Sequence, residues 1–581
     1  MPPKSRRSDL ISNQLKEEGN TEFLNRDYNK AINLYTKALY LEENPICYNN
    51  RAQAYLYNNE LELALQDCNK ALQLNPNYVK ATTNKAQVLY QMGYLQQAIE
   101  CLQGINNHSP ESQILLNQYQ SQSLKTLLDQ GELERQKTLL EWLKHGKAQF
   151  PKIKIECYSE SYRGVNAKQK INAKELILFI PKSHMITLEM AKETPVAKKM
   201  IQFRLDLLSP KHSFLSTFLL QEKSRPNSFW KPYLDILPQS YPSFPIFFNN
   251  YDLEWLQGSP FLKQINDKLS DLKKDYNDIC NVAPEFSQYS FYEFCWARMT
   301  ASSRIFGINI KGVKTDAFVP LADMLNHKRP KLTSWCYSEE KQGFIIETDE
   351  KIDRGQMIFD SYGRKCNSRF LLNYGFVVDD NDANEVNVTV AAEFNDPLIQ
   401  LKEDATEEQL KQPKTFRLIM DTDGINEITH FLEATVMEFM SYIRFLVIRD
   451  QTQLQFLLNE RESKYIKPTK IQPLGIHNEL DMWDLIRRIC YVSLSRYPTT
   501  LEQDKEILQI CDLTTNQRNC LILRMGEKEI LKFYYQFSEK MKQLLSNFNQ
   551  LETNIFCSKE ENCKYLNYIN KVIMFQNQND Q

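Results

Sequence analysis

The chain has 581 residues, 42% of them hydrophobic and 25% charged, which is too long for one core and ordinary for several globular domains of roughly 100–200 residues each. Its 71 Lys+Arg against 73 Asp+Glu leave a net charge of −2, which excludes a nucleic-acid binder driven by bulk charge. No run of about 18 or more apolar residues offers a membrane span, the N-terminus has no apolar signal-peptide core, and 13 scattered cysteines without a Cys-x-x-Cys pair predict reduced thiols in the cytoplasm or nucleus and no zinc site.

The basic cluster Lys4–Arg7 reads as a solvated tail. After it the sequence repeats. Ala31, Ala64 and Ala98 are spaced by 33 and 34 residues, Ala38 and Ala71 by 33, and Gly19, Ala52 and Ala86 again by 33 and 34. Small residues recurring near a 34-residue period predict helix–turn–helix units whose helices approach closely and stack on one another. Over about residues 12–110 this pattern resembles the tetratricopeptide-repeat family. The resemblance implies a peptide-binding groove. One subgroup of that family grips the acidic C-termini of heat-shock chaperones with converging Lys and Asn donors, and Lys16, Asn20, Asn50 and Lys80 match that pattern. The final arginine position holds Asn84, next to Lys85. A groove lined by these side chains would hold a terminal carboxylate.

Residues 111–149 predict a helical linker. Its leucines Leu115, Leu116, Leu124, Leu127, Leu128, Leu139, Leu140 and Leu143 fall at roughly helical spacing and could cover the last repeat. From about 150 strand patterns begin: Ile153, Ile155 and Cys157 alternate with polar residues, and Leu176–Ile180 is a buried strand ended by Pro181. Residues 190–300 are mainly helical. Strand runs return at Gly343–Thr348 and Met357–Tyr362, and beyond about 400 helical patterns dominate, as at Phe431–Val447 and Ile530–Phe548.

Three segments carry chemistry. The loop Ser159–Val165 contains Tyr162-Arg163-Gly164, whose backbone could meet a ligand. The segment Pro320–His327 contains Asp323 and ends in Asn326-His327, which offer both donors and acceptors at the edge of a core. The third segment holds two Tyr-Gly pairs, Tyr362-Gly363 and Tyr374-Gly375, followed by Phe376. Each alone is common: a turn, a satisfied histidine, two core tyrosines. Taken in order, with Trp230-Lys231-Pro232-Tyr233 and Phe291–Arg304 between them, they resemble the SET methyltransferase domain. The insert at about 190–300 and the helical region after 400 are similar to its Rubisco large-subunit methyltransferase-like branch, which includes an actin-histidine methyltransferase.

The resemblance covers about residues 150–575 and implies a multidomain α+β protein. The expected order is an all-α repeat solenoid (12–110), the linker (111–149), a β-rich SET domain with its helical insert (150–380) and an all-α substrate-binding domain (400–575). It also implies a threaded C-terminal segment, a rare exception among folds. The implied cofactor is S-adenosylmethionine, resting on Tyr162, Arg163 and Gly164. Arg304 would take its carboxylate, Asp323, Asn326 and His327 its amino-acid part, and Phe376 would pack near its adenine. Tyr362 and Tyr374 would be the catalytic pair, and the acceptor a lysine of a protein substrate. A histidine acceptor, or a non-enzymatic adaptor with a degenerate SET domain, are the alternatives. Two positions depart from the family pattern. Tyr162 replaces the loop's first glycine, and Arg369 stands where an acidic residue is usual. No Gly-x-Gly loop of the doubly wound methyltransferases is present.

Overall fold

The computed structural model describes residues 4–92, 94–105, 108–158, 162–420, 434–461 and 464–547, together with Tyr568 and Val572. It divides into two compact units, Met1–Thr138 and Leu139–Gln581.

In the first unit six helices pair as Lys4–Leu24 with Tyr28–Leu41, Pro45–Tyr57 with Leu61–Leu74, and Val79–Gln91 with Leu95–Gln103. The helix begins at Lys4, so the basic cluster lies at its first turn instead of in a tail. Asn44 opens the third helix with its side chain accepting from the Ile46 and Cys47 N–H groups, and Pro45 fills the first helical position, where a missing N–H costs nothing. The periodic alanines 31, 38, 52, 64, 71, 86 and 98 are all fully buried. Gly19 has the same cause: a Cβ there would lie 2.6 Å from the Tyr35 ring. The helix Pro110–His145 follows, and its Leu116 and Tyr119 join the third repeat's core with Ala86, Leu89, Ile99 and Leu102.

In the second unit the strands are β1 (Ile153–Cys157), β2 (Arg163–Ala167), β3 (Leu176–Pro181), β4 (Ile186–Thr187), β5 (Ile305–Ile310), β6 (Val313–Phe318), β7 (Asn326–His327), β8 (Thr333–Ser338), β9 (Gly343–Thr348), β10 (Met357–Asp360), β11 (Glu385–Val390) and β12 (Lys414–Ile419). They form small sheets ordered β1-β2-β10-β7, β3-β9-β8, β4-β6-β5 and β11-β12. Leu139 and Leu143 of the long helix enter the large core beneath them, with Val165, Ile180, Phe318, Phe344 and Ile358. The insert supplies the helices Pro210–Lys223, Lys231–Ile236, Phe261–Val282 and Phe291–Arg304, among others.

The C-terminal region is built on the helices Ala434–Leu446, Ile476–Ser495 and Thr515–Asn547. It also contains β12, paired antiparallel with β11, where the sequence suggested helices alone. Apolar residues alternate with more exposed ones in both strands, and Val386, Val388, Phe416 and Leu418 turn inward to join Phe439 and Tyr442 in one core. The predicted helical run 431–447 begins within the described residues at Ala434. Leu371, Leu256, Phe261 and Ile265 share a further core with Cys520 and Leu523 of the last long helix, which ties that helix to the insert.

Candidate active site

One sheet gathers the three chemistry-bearing segments. β2 carries Gly164, β10 leads into Tyr362, and β7 is the Asn326-His327 pair itself. β10 pairs antiparallel with β2, through Ile358 and Val165, and parallel with β7, through Phe359–Asn326 and Asp360–His327. Gly164 is needed for this approach. A Cβ on it would lie 3.0 Å from Asn326 Nδ2 and 3.0 Å from Met357 Cε. The Asn326 amide donates to the Arg163 carbonyl at 3.0 Å.

Arg304 is delivered by a helix whose start is fixed by a Ser290–Glu293 capping box and whose last residue is Arg304 itself. Its guanidinium donates to the Asp323 carboxylate at 3.2 Å, to the Asp323 carbonyl at 3.1 Å and to the Tyr241 hydroxyl at 3.4 Å. Tyr233, fully buried, donates to the same Asp323 oxygen at 2.9 Å. Burial, and then the Asp323 charge, hold the Tyr233 phenol well above its usual range. Asp323 follows Leu321, whose backbone lies in the left-handed region at φ 72°. Such a conformation costs a non-glycine residue about 1–3 kcal/mol, and here it is held by a side chain that is almost wholly buried. The other Asp323 oxygen, Oδ1, is buried without a hydrogen-bond partner.

Tyr362 lies at the centre of an aromatic cluster. Its hydroxyl donates to the Leu325 carbonyl at 2.7 Å, and its backbone N–H donates to His327 Nδ1 at 3.0 Å. That bond makes Nδ1 the acceptor, so the proton of the neutral imidazole is on Nε2. Burial, with the Arg329 and Lys365 charges, lowers His327 to about 4. Burial raises the Tyr362 phenol, so it remains protonated at neutral pH. Its ring stacks on Tyr374 at 5.0 Å and 22°. Phe376 stacks on Phe370 at 5.1 Å and lies 6.2 Å from Tyr362. The Lys365 ammonium donates to the Tyr362 carbonyl and sits 5.8 Å from the Tyr374 ring.

The sequence-predicted residues therefore fall into groups. Gly164, Asn326, His327, Tyr362, Tyr374 and Phe376 come together around β10 and the turn that follows it, and Arg304 and Asp323 form an adjoining ion pair. The Arg163 guanidinium donates to the Ile236 carbonyl at 2.6 Å and ties the strand to the insert, while the Arg163 carbonyl accepts from Asn326. Tyr162 is 45% exposed, with its hydroxyl on the Met357 sulfur at 3.6 Å, and residues 159–161 of its loop lie outside the described residues. His327 spends Nδ1 on the Tyr362 backbone, so its imidazole acts on the tyrosine turn. Arg369, which departs from the family pattern, is exposed and faces Glu385 at 3.7 Å. Tyr233, Tyr241, Met357, Lys365 and the Leu325 carbonyl were missed. Tyr233 stood in a segment the sequence had flagged, but nothing there signalled a bond across 90 positions.

The residues fit S-adenosylmethionine. Arg304 is a guanidinium suited to its carboxylate, the unpartnered Asp323 Oδ1 is an acceptor suited to its ammonium, and Gly164 leaves a cradle beside Asn326 that a side chain would fill. A cavity of about 420 Å³ lies nearby, lined by residues that include His212, Lys268, Arg298, Leu372 and Asn373, but not by Tyr362, Asn326 or Arg304. The chemistry is therefore assigned from the geometry around Tyr362 and not from this hollow. Among the described residues there is no group of His, Cys, Asp or Glu that could hold a metal. Among the same residues no helix is long and apolar enough to cross a membrane.

In the repeats, Asn20 Oδ1 accepts from the Tyr35 hydroxyl and from Asn50 Nδ2, both at 2.9 Å, while Lys16 donates to Asn13 Oδ1 at 3.1 Å. Lys80 is exposed and Lys85 partly buried on the helix Val79–Gln91. Asn84, at the missing arginine position, is buried and donates to Asn49 Oδ1 at 2.9 Å.

The SET domain model matches residues 162–363, the Rubisco LSMT substrate-binding model residues 393–531, and the tetratricopeptide repeat model residues 45–78. Actin-histidine N-methyltransferases of Homo sapiens and Gallus gallus are each 24% identical over 408 residues, covering 68% of this chain and 66% and 67% of theirs. The chain thus spans just under two thirds of the human relative's length. Among solved structures, the SET domain of LSMT bound to MeLysine and AdoHcy and Rubisco LSMT bound to AdoMet each superpose with a TM-score of 0.57 at 22% identity, covering 71% of this chain and 93% of theirs. The chain thus carries a stretch that matches the SET domain, followed by one that matches the Rubisco LSMT substrate-binding domain, with a tetratricopeptide-repeat match ahead of both.

Proposed function

We propose that the chain is a protein N-methyltransferase that takes its methyl group from S-adenosylmethionine and delivers it to a lysine side chain. The observation that carries this reading is the Tyr362 phenol: protonated, fixed by the Leu325 carbonyl at 2.7 Å and stacked on Tyr374. S-adenosylmethionine, when bound, supplies a methyl group already activated on a sulfonium. What remains for the protein is alignment and exclusion of water. Arg304 and Asp323 hold the charged amino-acid end, and Asn326 keeps β2 against β7. Tyr362 and Tyr374 line the acceptor's path. The Tyr362 oxygen orients the nitrogen and stabilises the polarised methyl group, and backbone carbonyls add weak C–H···O contacts. A lysine, protonated in water with a pKa near 10.4, reaches this aromatic enclosure only after losing its charge, which desolvation favours.

A histidine acceptor is favoured by one observation, the similarity to actin-histidine N-methyltransferases. The lysine reading is supported by the fold shared with Rubisco LSMT, solved with methyllysine bound. The pH profile separates the two. Neither Tyr362 nor His327 titrates between pH 6 and 9, but the buried Lys268 is lowered to about 7, so the profile is taken in Lys268→Arg, whose guanidinium stays charged, and a limb in that window then reports the acceptor. A lysine acceptor gives single-turnover rates that keep rising to pH 9, whereas a histidine acceptor with a pKa near 6.5 gives a plateau above about pH 7.5. A plateau removes the lysine assignment.

For the repeats we propose a docking role, with Lys16, Asn20, Asn50, Lys80 and Lys85 receiving an acidic C-terminal peptide of the kind chaperones carry. Its support is the direct bond in which the Asn50 amide donates to Asn20 Oδ1, which brings two polar side chains from separate helices together. Calorimetry with a synthetic acidic peptide ending in a free carboxylate tests this, and an amidated peptide that binds equally well contradicts it.

A further inference from the structure

Lys268 belongs to the helix Phe261–Val282 of the insert and is 9% exposed. A lysine is almost never buried without a carboxylate, yet among the described residues Lys268 forms no ion pair. Its ammonium instead donates to the Leu372 carbonyl at 3.1 Å and to Asn373 Oδ1 at 2.8 Å. These two residues end the helix Asn367–Tyr374. The last carbonyls of a helix have no partner within it and carry its negative end, so a cation there takes up a defined task. The insert grips the same turn from a second side. Gly375 is left-handed at φ 77°, and a Cβ on it would lie 2.7 Å from both Phe244 Cδ2 and Ser243 Oγ. Tyr374 is the residue between these two holds, and its ring is the one stacked on Tyr362.

We infer that Lys268 is a positioning residue for the acceptor site, clamping the helix end that sets Tyr374 against Tyr362. The inference rests on the methyltransferase reading and deepens it, because it makes the insert a part of the acceptor pocket's rigidity. Other titratable groups meet Lys268 in the 420 Å³ cavity. Arg298 comes from the helix Phe291–Arg304 and is paired with Asp275 at 3.8 Å, His212 comes from Pro210–Lys223, and Asp267 and Asp271 come from its own helix. Burial first, and then the Arg298 charge, lower Lys268 to about 7, so the clamp weakens as pH rises through neutrality. A merely structural lysine would act otherwise. An interior ammonium opposes folding, so an apolar replacement preserves the melting temperature.

The test uses the full chain with Lys268→Met and Lys268→Arg, the cavity giving the larger guanidinium room. Melting temperature, affinity for S-adenosylhomocysteine, amide hydrogen exchange over residues 367–376 and the rate of methyl labelling of proteins in a cell extract are measured. Lys268→Met keeps its melting temperature and its affinity for S-adenosylhomocysteine. Its exchange over 367–376 quickens and its labelling rate falls about tenfold, the share of a charge-assisted hydrogen bond. Lys268→Arg restores both, and its labelling rate relative to wild type grows between pH 6 and 9 because a guanidinium stays charged. Unchanged exchange and labelling in Lys268→Met, or a loss that tracks the melting temperature, overturns the inference. If wild type itself labels nothing, the methyltransferase reading fails, and exchange alone then decides whether Lys268 holds the helix end.

Discussion

At the scale of single residues, the site depends on distances that one methyl group can spoil. Gly164→Ala places a Cβ 3.0 Å from Asn326 Nδ2 and from Met357 Cε. The methionine end can move, but the amide is tied to the Arg163 carbonyl. We expect a stability cost of about 1 kcal/mol, at the low end of the usual cost of overpacking, and a loss of S-adenosylhomocysteine affinity of roughly tenfold, read by calorimetry. Undiminished affinity would show that the cradle is not where the cofactor sits. Arg304→Met leaves the Asp323 carboxylate buried with only Tyr233 as partner. A buried ion pair broken on one side costs about 3–5 kcal/mol, so a large fall in melting temperature is expected. Asp323→Asn with Arg304→Met together should recover part of it. Gly164, Asn326 and Tyr362 were legible in the sequence because their motif is local. The Asp323–Tyr233 bond and the Lys268 clamp were not, since each joins segments about 90 to 105 residues apart.

At the scale of elements, the repeat pattern was readable because it is written in small residues whose burial has one cause. Gly19→Ala separates two opposed effects. Alanine is favoured over glycine inside a helix by about 1 kcal/mol. Against that, its Cβ would lie 2.6 Å from the rigid Tyr35 ring, an overpacking cost of about 1–3 kcal/mol. The clash wins, and the first helix pair should melt earlier, seen as faster hydrogen exchange over residues 12–41 with exchange at β10 unchanged. Equal exchange would mean the helices simply move apart. Strand β12 was missed for the converse reason. Six residues flanked by long helical patterns give too short an alternation to stand out, and only pairing with β11 makes them a strand. The two-residue strand β7 is shorter still. It was found as a motif and not as an element.

At the scale of the whole molecule, the order of domains followed from patterns that change along the chain: a 34-residue period, then alternation, then long helical runs. What no local pattern could give is how the insert and the last long helix share a core around Leu371 and Phe261. The central claim is that Tyr362 performs methyl transfer without carrying the cofactor. It is tested most directly by incubating purified wild-type protein and Tyr362→Phe with labelled S-adenosylmethionine and a cell extract, and by measuring S-adenosylhomocysteine affinity of both. Wild type should label a protein band, and the variant should lose about a hundredfold or more of that rate, the scale of a removed transition-state donor, with affinity within twofold. Equal labelling by the two proteins would contradict the account.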